Sequence, residues 1–200
     1  MKIEIEDLFY LYEKEDEKVA ALRGLFLEIE SGECLVIKGP NGSGKSTLVK
    51  VLSGFLKPSA GKIFIDGKNF SSIDPLLLRR EYISSIDQKG NLLPDLSVVE
   101  NISLSLTLAT GSADKAKNEA LHLLREYELD HLADLDTSQL SSGERQICAL
   151  LAAVAGKPKI LIADEPSGEL DDKSADSVYQ LLKSLTGKND SHFGDARFSR

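Results

Sequence analysis

Residues Gly39-Pro40-Asn41-Gly42-Ser43-Gly44-Lys45-Ser46-Thr47 match the phosphate-binding loop pattern G-x-x-x-x-G-K-[ST] at every fixed position. Ahead of them, Cys34-Leu35-Val36-Ile37 is a short apolar run, as expected of a buried central strand. Behind them, Thr47 to Ser53 reads as a helix, with Leu48, Val51 and Leu52 on one face and Gly54 as its stop. Strand, glycine loop and helix together make an anion site. The glycines let the backbone wrap a polyphosphate with its N–H groups pointing inward. The helix start adds a positive dipole end. Lys45 is expected to reach the β- and γ-phosphates, and Ser46 to place its hydroxyl on Mg²⁺. The plainer reading is a Gly-rich turn ending in an exposed lysine, and the flanking strand and helix count against it.

Working outward, the bulk properties narrow the class. Two hundred residues suit one domain, or one domain with a subdomain. A net charge of -8 implies no basic face, which speaks against a nucleic-acid partner and suits a cytosolic protein. Cys34 and Cys148 both sit in apolar runs, so they read as buried thiols in a reducing compartment and not as a metal site. Met1 to Glu6 alternates and is acidic, unlike a signal peptide. No run approaches the ~18 apolar residues of a membrane span. A role at a membrane would need another chain to supply the span.

In chain order, residues 2–6 read as a half-buried strand and Glu13 to Lys18 as a solvated charged loop. Leu25 to Glu30 alternates again and turns at Ser31-Gly32-Glu33 into the loop strand. Pro58 to Gly61 is a turn, and Lys62 to Asp66 an alternating strand. Tyr82 to Ile86 is a further strand. Ser97 and Glu100 form a capping box ahead of Val98, Val99, Ile102 and Leu106. Asp114 to Tyr127 and Ser141 to Ala155 have helical spacing, so residues about 90–155 read as an inserted helical block. Lys159 to Ala163 is a buried strand that delivers Asp164 and Glu165. Asp172 to Leu185 is a helix. Residues 187–200 show no periodicity and read as irregular.

Two acids at a strand end behind a phosphate loop suit nucleotide chemistry: Asp164 for the magnesium, Glu165 to polarise an attacking water. Leu140-Ser141-Ser142-Gly143-Glu144 is first of all a helix start, since Ser141 and Glu144 have capping-box spacing. A glycine-containing helix start is also an anion site. With this stretch the chain resembles the ATP-binding-cassette ATPases, the nucleotide-binding domains of ABC transporters, whose signature is L-S-G-G-[QE]. Gln88 falls at the family's Q-loop glutamine and Glu165 at its catalytic glutamate. Ser167-Gly168-Glu169-Leu170-Asp171 is similar to the D-loop, and Tyr12 stands where an aromatic residue stacks on adenine. The resemblance covers residues 2–186. The wording Asp164 to Asp171 is most similar to exporters of the lipoprotein-release and macrolide-efflux type.

The resemblance implies an α/β fold: a P-loop NTPase of the ABC type, with a mixed core sheet, an N-terminal antiparallel β subdomain and an inserted α-helical subdomain. The ATPase domain would span 1–186, its helical subdomain about 90–155, with 187–200 an irregular tail. ATP and Mg²⁺ are the implied cofactors. Lys45, Gln88 and Glu165 would be catalytic. Tyr12, the loop residues Gly39 to Thr47, Ser141, Gly143 and Asp171 would hold nucleotide. Ser46, Gln88 and Asp164 would face the metal. Two such domains, in a homodimer, would close head to tail over ATP and drive a separate transmembrane permease, on the cytoplasmic face of the membrane.

Three departures from the family pattern matter. Ser142 replaces a glycine of the signature and adds a Cβ near the phosphate. Ile147 and Ala152 replace two arginines common after the signature. The family's switch histidine follows a last core strand, and no apolar run supplies that strand here. His192 therefore reads as a tail residue, and His122 and His131 as surface or packing residues. ATP binding with weak hydrolysis is the expectation; the alternative is a hydrolysis-impaired regulatory or truncated cassette. A GTPase is disfavoured, because no N-K-x-D motif is present.

Overall fold

A computed structural model describes residues 1–14, 17–87, 90–168, 170–185 and 193–197. They fall into two compact units, Met1–Arg79 with Lys183–Arg200, and Arg80–Leu182.

The first unit begins with a long antiparallel hairpin, β1 (Ile3–Lys14) and β2 (Glu17–Ile29). The strands run on to the pair Lys14 and Glu17. The charged run expected as a loop is thus mostly strand. Its charges face each other across the ladder: Glu13 is opposite Lys18, with their charged groups 3.7 Å apart. Opposite charges directly across a ladder are favourable. Ile3 and Ile5 are buried, and the next buried residue is Leu8. A bulge between Ile5 and Leu8 causes this change of parity, with Asp7 in the left-handed region at φ 49°. β4 (Ala60–Ile65) pairs with the other edge of β1. There Gly61, at φ 89°, lies against the Asp7 carbonyl with no room for a Cβ. β4 turns at Asp66-Gly67 into β5 (Lys68–Asn69), both turn residues having positive φ, as a type I′ hairpin requires. The sheet order is β2-β1-β4-β5.

β3 (Cys34–Lys38) leads into the glycine loop, α1 (Lys45–Leu52) follows it, and a single helical turn, α2 (Pro75–Leu77), comes later in the unit. α1 ends in a Schellman motif: Gly54 is left-handed, its N–H donates to Val51 O, and Phe55 N–H donates to Lys50 O. β8 (Phe193–Arg197) lies parallel to β3, from Cys34 opposite Phe193 to Lys38 opposite Arg197. This corrects the expectation that residues 187–200 are irregular and that no strand follows Leu185. Phe193–Arg197 contains a glycine and two charges, so it carries no strand pattern of its own; its ladder partner makes it a strand. His192 and Gln88 lie outside the described residues.

In the second unit, β6 (Ile83–Ile86) and β7 (Ile160–Ala163) pair in parallel. The helices are α3 (Val98–Thr110), α4 (Ala116–Glu126), α5 (Ser142–Ala155) and α6 (Asp172–Leu185). Both capping boxes read from the sequence are formed, at Ser97 and at Ser141. α5 is the central helix. Five consecutive residues, Cys148 to Ala152, are buried in it, so it is covered on nearly every side. Ile102 and Leu106 of α3, Leu124 of α4, and Val178 and Leu181 of α6 complete the core. Full burial of Leu150 alone contributes about 2 kcal/mol. β3 and β7, expected to be fully buried, are half-buried; each has a single strand partner among the described residues.

Candidate functional site

In the first unit the loop is built to receive an anion. Gly44 caps α1 at φ 99° with no side chain bonded to the helix start. The first helical bond is Leu48 N–H to Gly44 O, at 2.9 Å. The N–H groups of Lys45, Ser46 and Thr47 precede it and have no acceptor within the helix. The Ser43 hydroxyl is buried without a hydrogen-bond partner. Lys45 Nζ donates to the carbonyls of Gly39 (2.8 Å) and Pro40 (3.2 Å), which holds the ammonium at the loop. Uncapped N–H groups, an orphaned hydroxyl and a tethered cation fit a polyphosphate. Gly39, Pro40, Asn41 and Gly42 are exposed, as is Ser46, whose hydroxyl is free to meet a hydrated metal.

The neighbouring hairpin completes this half. β2 carries an extra residue at Ala21 relative to β1. The bulge brings the Ala21 carbonyl onto Gly44, where any Cβ would collide with it. Tyr12 is 38% exposed. Its hydroxyl lies 3.3 Å from Thr47 Oγ1, and its ring meets the edge of Tyr10 at 4.8 Å. An aromatic ring is thus tied to the helix that follows the phosphate loop.

The second unit holds the acids and the signature. Asp164 continues the β6–β7 ladder by donating its N–H to Ile86 O at 3.0 Å, and its side chain is half-buried. Glu165 is exposed and left-handed, at φ 49°. A non-glycine residue there costs of order 1 kcal/mol and marks a constrained turn. Gly168 N–H closes that turn on Glu165 O at 3.0 Å, and Ser167 Oγ lies 2.9 Å from the Tyr179 hydroxyl.

At the start of α5, Glu144 Oε2 accepts from the Ser141 N–H (2.9 Å) and hydroxyl (2.6 Å). The hydroxyl first, then the N–H, holds the Glu144 carboxyl below its ordinary range. Ser142 is exposed. Gly143 is buried against α6, where a Cβ would lie 2.5 Å from Ser174 Oγ. Ser174 donates from its hydroxyl (2.8 Å) and its N–H (3.1 Å) to the Asp171 carboxylate, which lowers that group's pKa. Asp171, Ser174 and Gly143 are therefore contiguous. Gly143 and Asp171, each expected from the sequence to hold nucleotide, are linked here through Ser174, where the start of α5 meets the start of α6.

Residues 87 and 90, which flank Gln88, are fastened to α5: Gln146 Nε2 donates to Asp87 O at 3.3 Å. Among the described residues no three His, Cys, Asp or Glu side chains gather as a metal cage.

Sequence reasoning missed Ala21, Gln146, Ser174 and Tyr179. A buried glutamine on an apolar helix face could have flagged Gln146. Nothing in the sequence signals a bulge at Ala21.

The ABC transporter family profile matches residues 22–168. The lipoprotein-releasing system ATP-binding protein LolD of Saccharophagus degradans is 37% identical over 185 residues, spanning 91% of this chain and 81% of that protein. An ABC transporter ATP-binding protein of Thermotoga maritima is 36% identical, spanning 92% and 80%. The dimeric ATP-binding cassette MJ0796, solved in a post-hydrolysis state with ADP and Pi, superposes with a TM-score of 0.85 at 31% identity, covering 99% of this chain and 88% of that one.

Proposed function

The chain belongs to the ABC transporter family, and from that premise we propose that it is the ATP-binding subunit of such a transporter, working with Mg²⁺ and hydrolysing ATP to drive a separate membrane subunit. The observation that carries this reading is the loop at the start of α1, with its uncapped N–H groups, its orphaned Ser43 hydroxyl and its tethered Lys45. Each feature is a donor or cation with a phosphate still to meet.

The roles follow from the chemistry. The N–H groups of residues 44–47 hold the phosphate oxygens, and Lys45 carries the countercharge. Mg²⁺, when bound, offsets further phosphate charge. Ser46 and Asp164 are suited to it as a hydroxyl and a carboxylate. Glu165 orients the attacking water, and its constrained backbone fixes where its side chain leaves the turn. Tyr12 offers a ring for the adenine. Gln88 belongs beside the γ-phosphate. Ser141, at an anion-favouring helix start, closes over the ATP of a second copy, which makes the working unit a head-to-tail dimer. No helix among the described residues is long and apolar enough to cross a membrane. On the family reading, the chain works from the cytoplasmic face against a permease that supplies the span. The lipoprotein-releasing relatives point to an exporter of that type.

Lys45→Ala should weaken ATP binding by about 10–100-fold, the value of a charge-assisted contact, with the fold intact. Calorimetric titration with Mg-ATP tests this. Equal affinity in the variant sinks the assignment of the loop.

A further inference from the structure

The ring of Tyr12 sits on an exposed arm. The β1–β4 ladder ends at the pair Phe9 and Ala60. β1 runs on to Lys14 with β2 as its ladder partner. A two-stranded ribbon is marginal in water unless something packs against it. Here Leu11, Tyr12 and Glu13 are exposed, as are Lys18 and Val19 across the ribbon. Burial therefore does little to fix where the arm points, and hydrogen bonds fix it instead. Just past the end of the β1–β4 ladder, Ser59 N–H donates to Phe9 O at 2.9 Å. Ser59 Oγ accepts from Leu11 N–H at 3.0 Å. A side-chain oxygen thus stands in for a further ladder carbonyl and grips the residue before Tyr12. At the other end of that side chain, the Tyr12 hydroxyl lies 3.3 Å from Thr47 Oγ1. Ser59 is itself exposed and follows Pro58, whose own ring fixes its φ.

We propose that Ser59 is a positioning residue for recognition of the nucleotide base: it holds the arm so that the Tyr12 ring is set beside the phosphate-loop helix before ATP arrives. Ser59 acts through Leu11 and Tyr12 and is assigned no contact with nucleotide. A platform fixed in advance needs no ordering when the base stacks on it, and that saving appears as affinity. The bond between Ser59 and Leu11 bears on the base alone, because the N–H groups of residues 44–47 and the Lys45 ammonium hold the polyphosphate. The inference rests on the reading of Tyr12 as the adenine platform.

Calorimetry on the full chain with two probes, Mg-ATP and Mg-tripolyphosphate, tests it, because only the first carries a base. Tyr12→Ala should lower the ratio of ATP affinity to tripolyphosphate affinity by about tenfold, the value of one base stacked on an aromatic ring. Ser59→Val loses the acceptor, whereas Ser59→Thr has the same shape and keeps it. Ser59→Val should lower the ratio by about three- to fivefold, the value of one hydrogen bond. It should leave tripolyphosphate binding unchanged and speed hydrogen exchange in residues 10–13. Ser59→Thr should match the parent. The double variant Tyr12→Ala with Ser59→Val should lose no more than Tyr12→Ala alone, since Ser59 acts only through the ring. Equal losses for both probes in Ser59→Val, or losses that add in the double variant, would overturn the proposal. Should Ser59→Val not fold, Ser59→Ala removes the same acceptor without added bulk and decides by the same ratio. A ratio unmoved by Tyr12→Ala removes the reading of the base site itself. A ratio moved by Tyr12→Ala and not by Ser59→Val removes the role of Ser59 alone.

Discussion

Gly44 shows how little freedom the phosphate loop leaves a single residue. Its φ of 99° is left-handed, and the Ala21 carbonyl occupies the space a side chain would need. Gly44→Ala must distort the loop or push back the β2 bulge. A loss of about 2–3 kcal/mol in stability is expected, with ATP binding abolished even where the chain still folds. Urea melts and calorimetry check both parts. Cys148 gives a pH-dependent counterpart. Burial pushes its thiol up from an ordinary value near 9 to about 12, with the Glu144 charge adding to the effect. The unfolded thiol ionises above pH 9 while the folded one stays neutral. Stability is therefore intact below pH 9 and falls between pH 9 and pH 12, by on the order of 1 kcal/mol at pH 10. Cys148→Ala should remove that share of the alkaline loss in melts taken from pH 7 to 10. The phosphate loop was legible in the sequence because its chemistry is local, a fixed spacing within nine residues. The carbonyl of Ala21 against Gly44 and the Tyr12 hydroxyl on Thr47 were not, because each joins residues distant in sequence and depends on a bulge.

At the level of elements, the helices announced themselves. Both capping boxes and the apolar spacing of α3 to α6 fall within two residues of where the sequence puts them. The polar side chain that seats α3 did not. Asn101 is buried; it accepts from Leu93 N–H at 2.7 Å and donates to the carbonyls of Leu93, Leu96 and Ser97. It binds the lead-in of α3 to the helix itself. Asn101→Ala leaves buried backbone groups without partners and should cost about 2–3 kcal/mol. Thermal melts and faster exchange of the Leu93 amide would show it, and an unchanged melt would refute it. β8 was illegible for a related reason. A five-residue parallel strand shows no alternation when both its faces and its pairing are set by its neighbour.

For the molecule as a whole, the decisive question is what a second copy does. Glu165→Gln removes the carboxylate proposed to orient the attacking water and leaves Asp164, the proposed metal ligand, in place. The expected outcome is a Mg-ATP-dependent dimer that persists on gel filtration, while the parent dissociates as it turns over. A variant that stays monomeric at every concentration would remove the main support for the head-to-tail arrangement. Exposure of Ser141 and Ser142 at the start of α5 is what such a partner requires. The acidic net charge, read from composition, speaks only against a nucleic-acid partner. It carried nothing about which face meets which.

The β3–β8 ladder has a consequence during synthesis. Cys34 pairs with Phe193, so every element from β4 to α6 must leave the ribosome before the strand feeding the phosphate loop gains its neighbour. Closing so long a loop is entropically late. The β1–β2 hairpin, in contrast, can form as soon as Ile29 emerges. The nascent chain should therefore acquire its N-terminal sheet early and the neighbour of its phosphate-loop strand only after the second unit has been made.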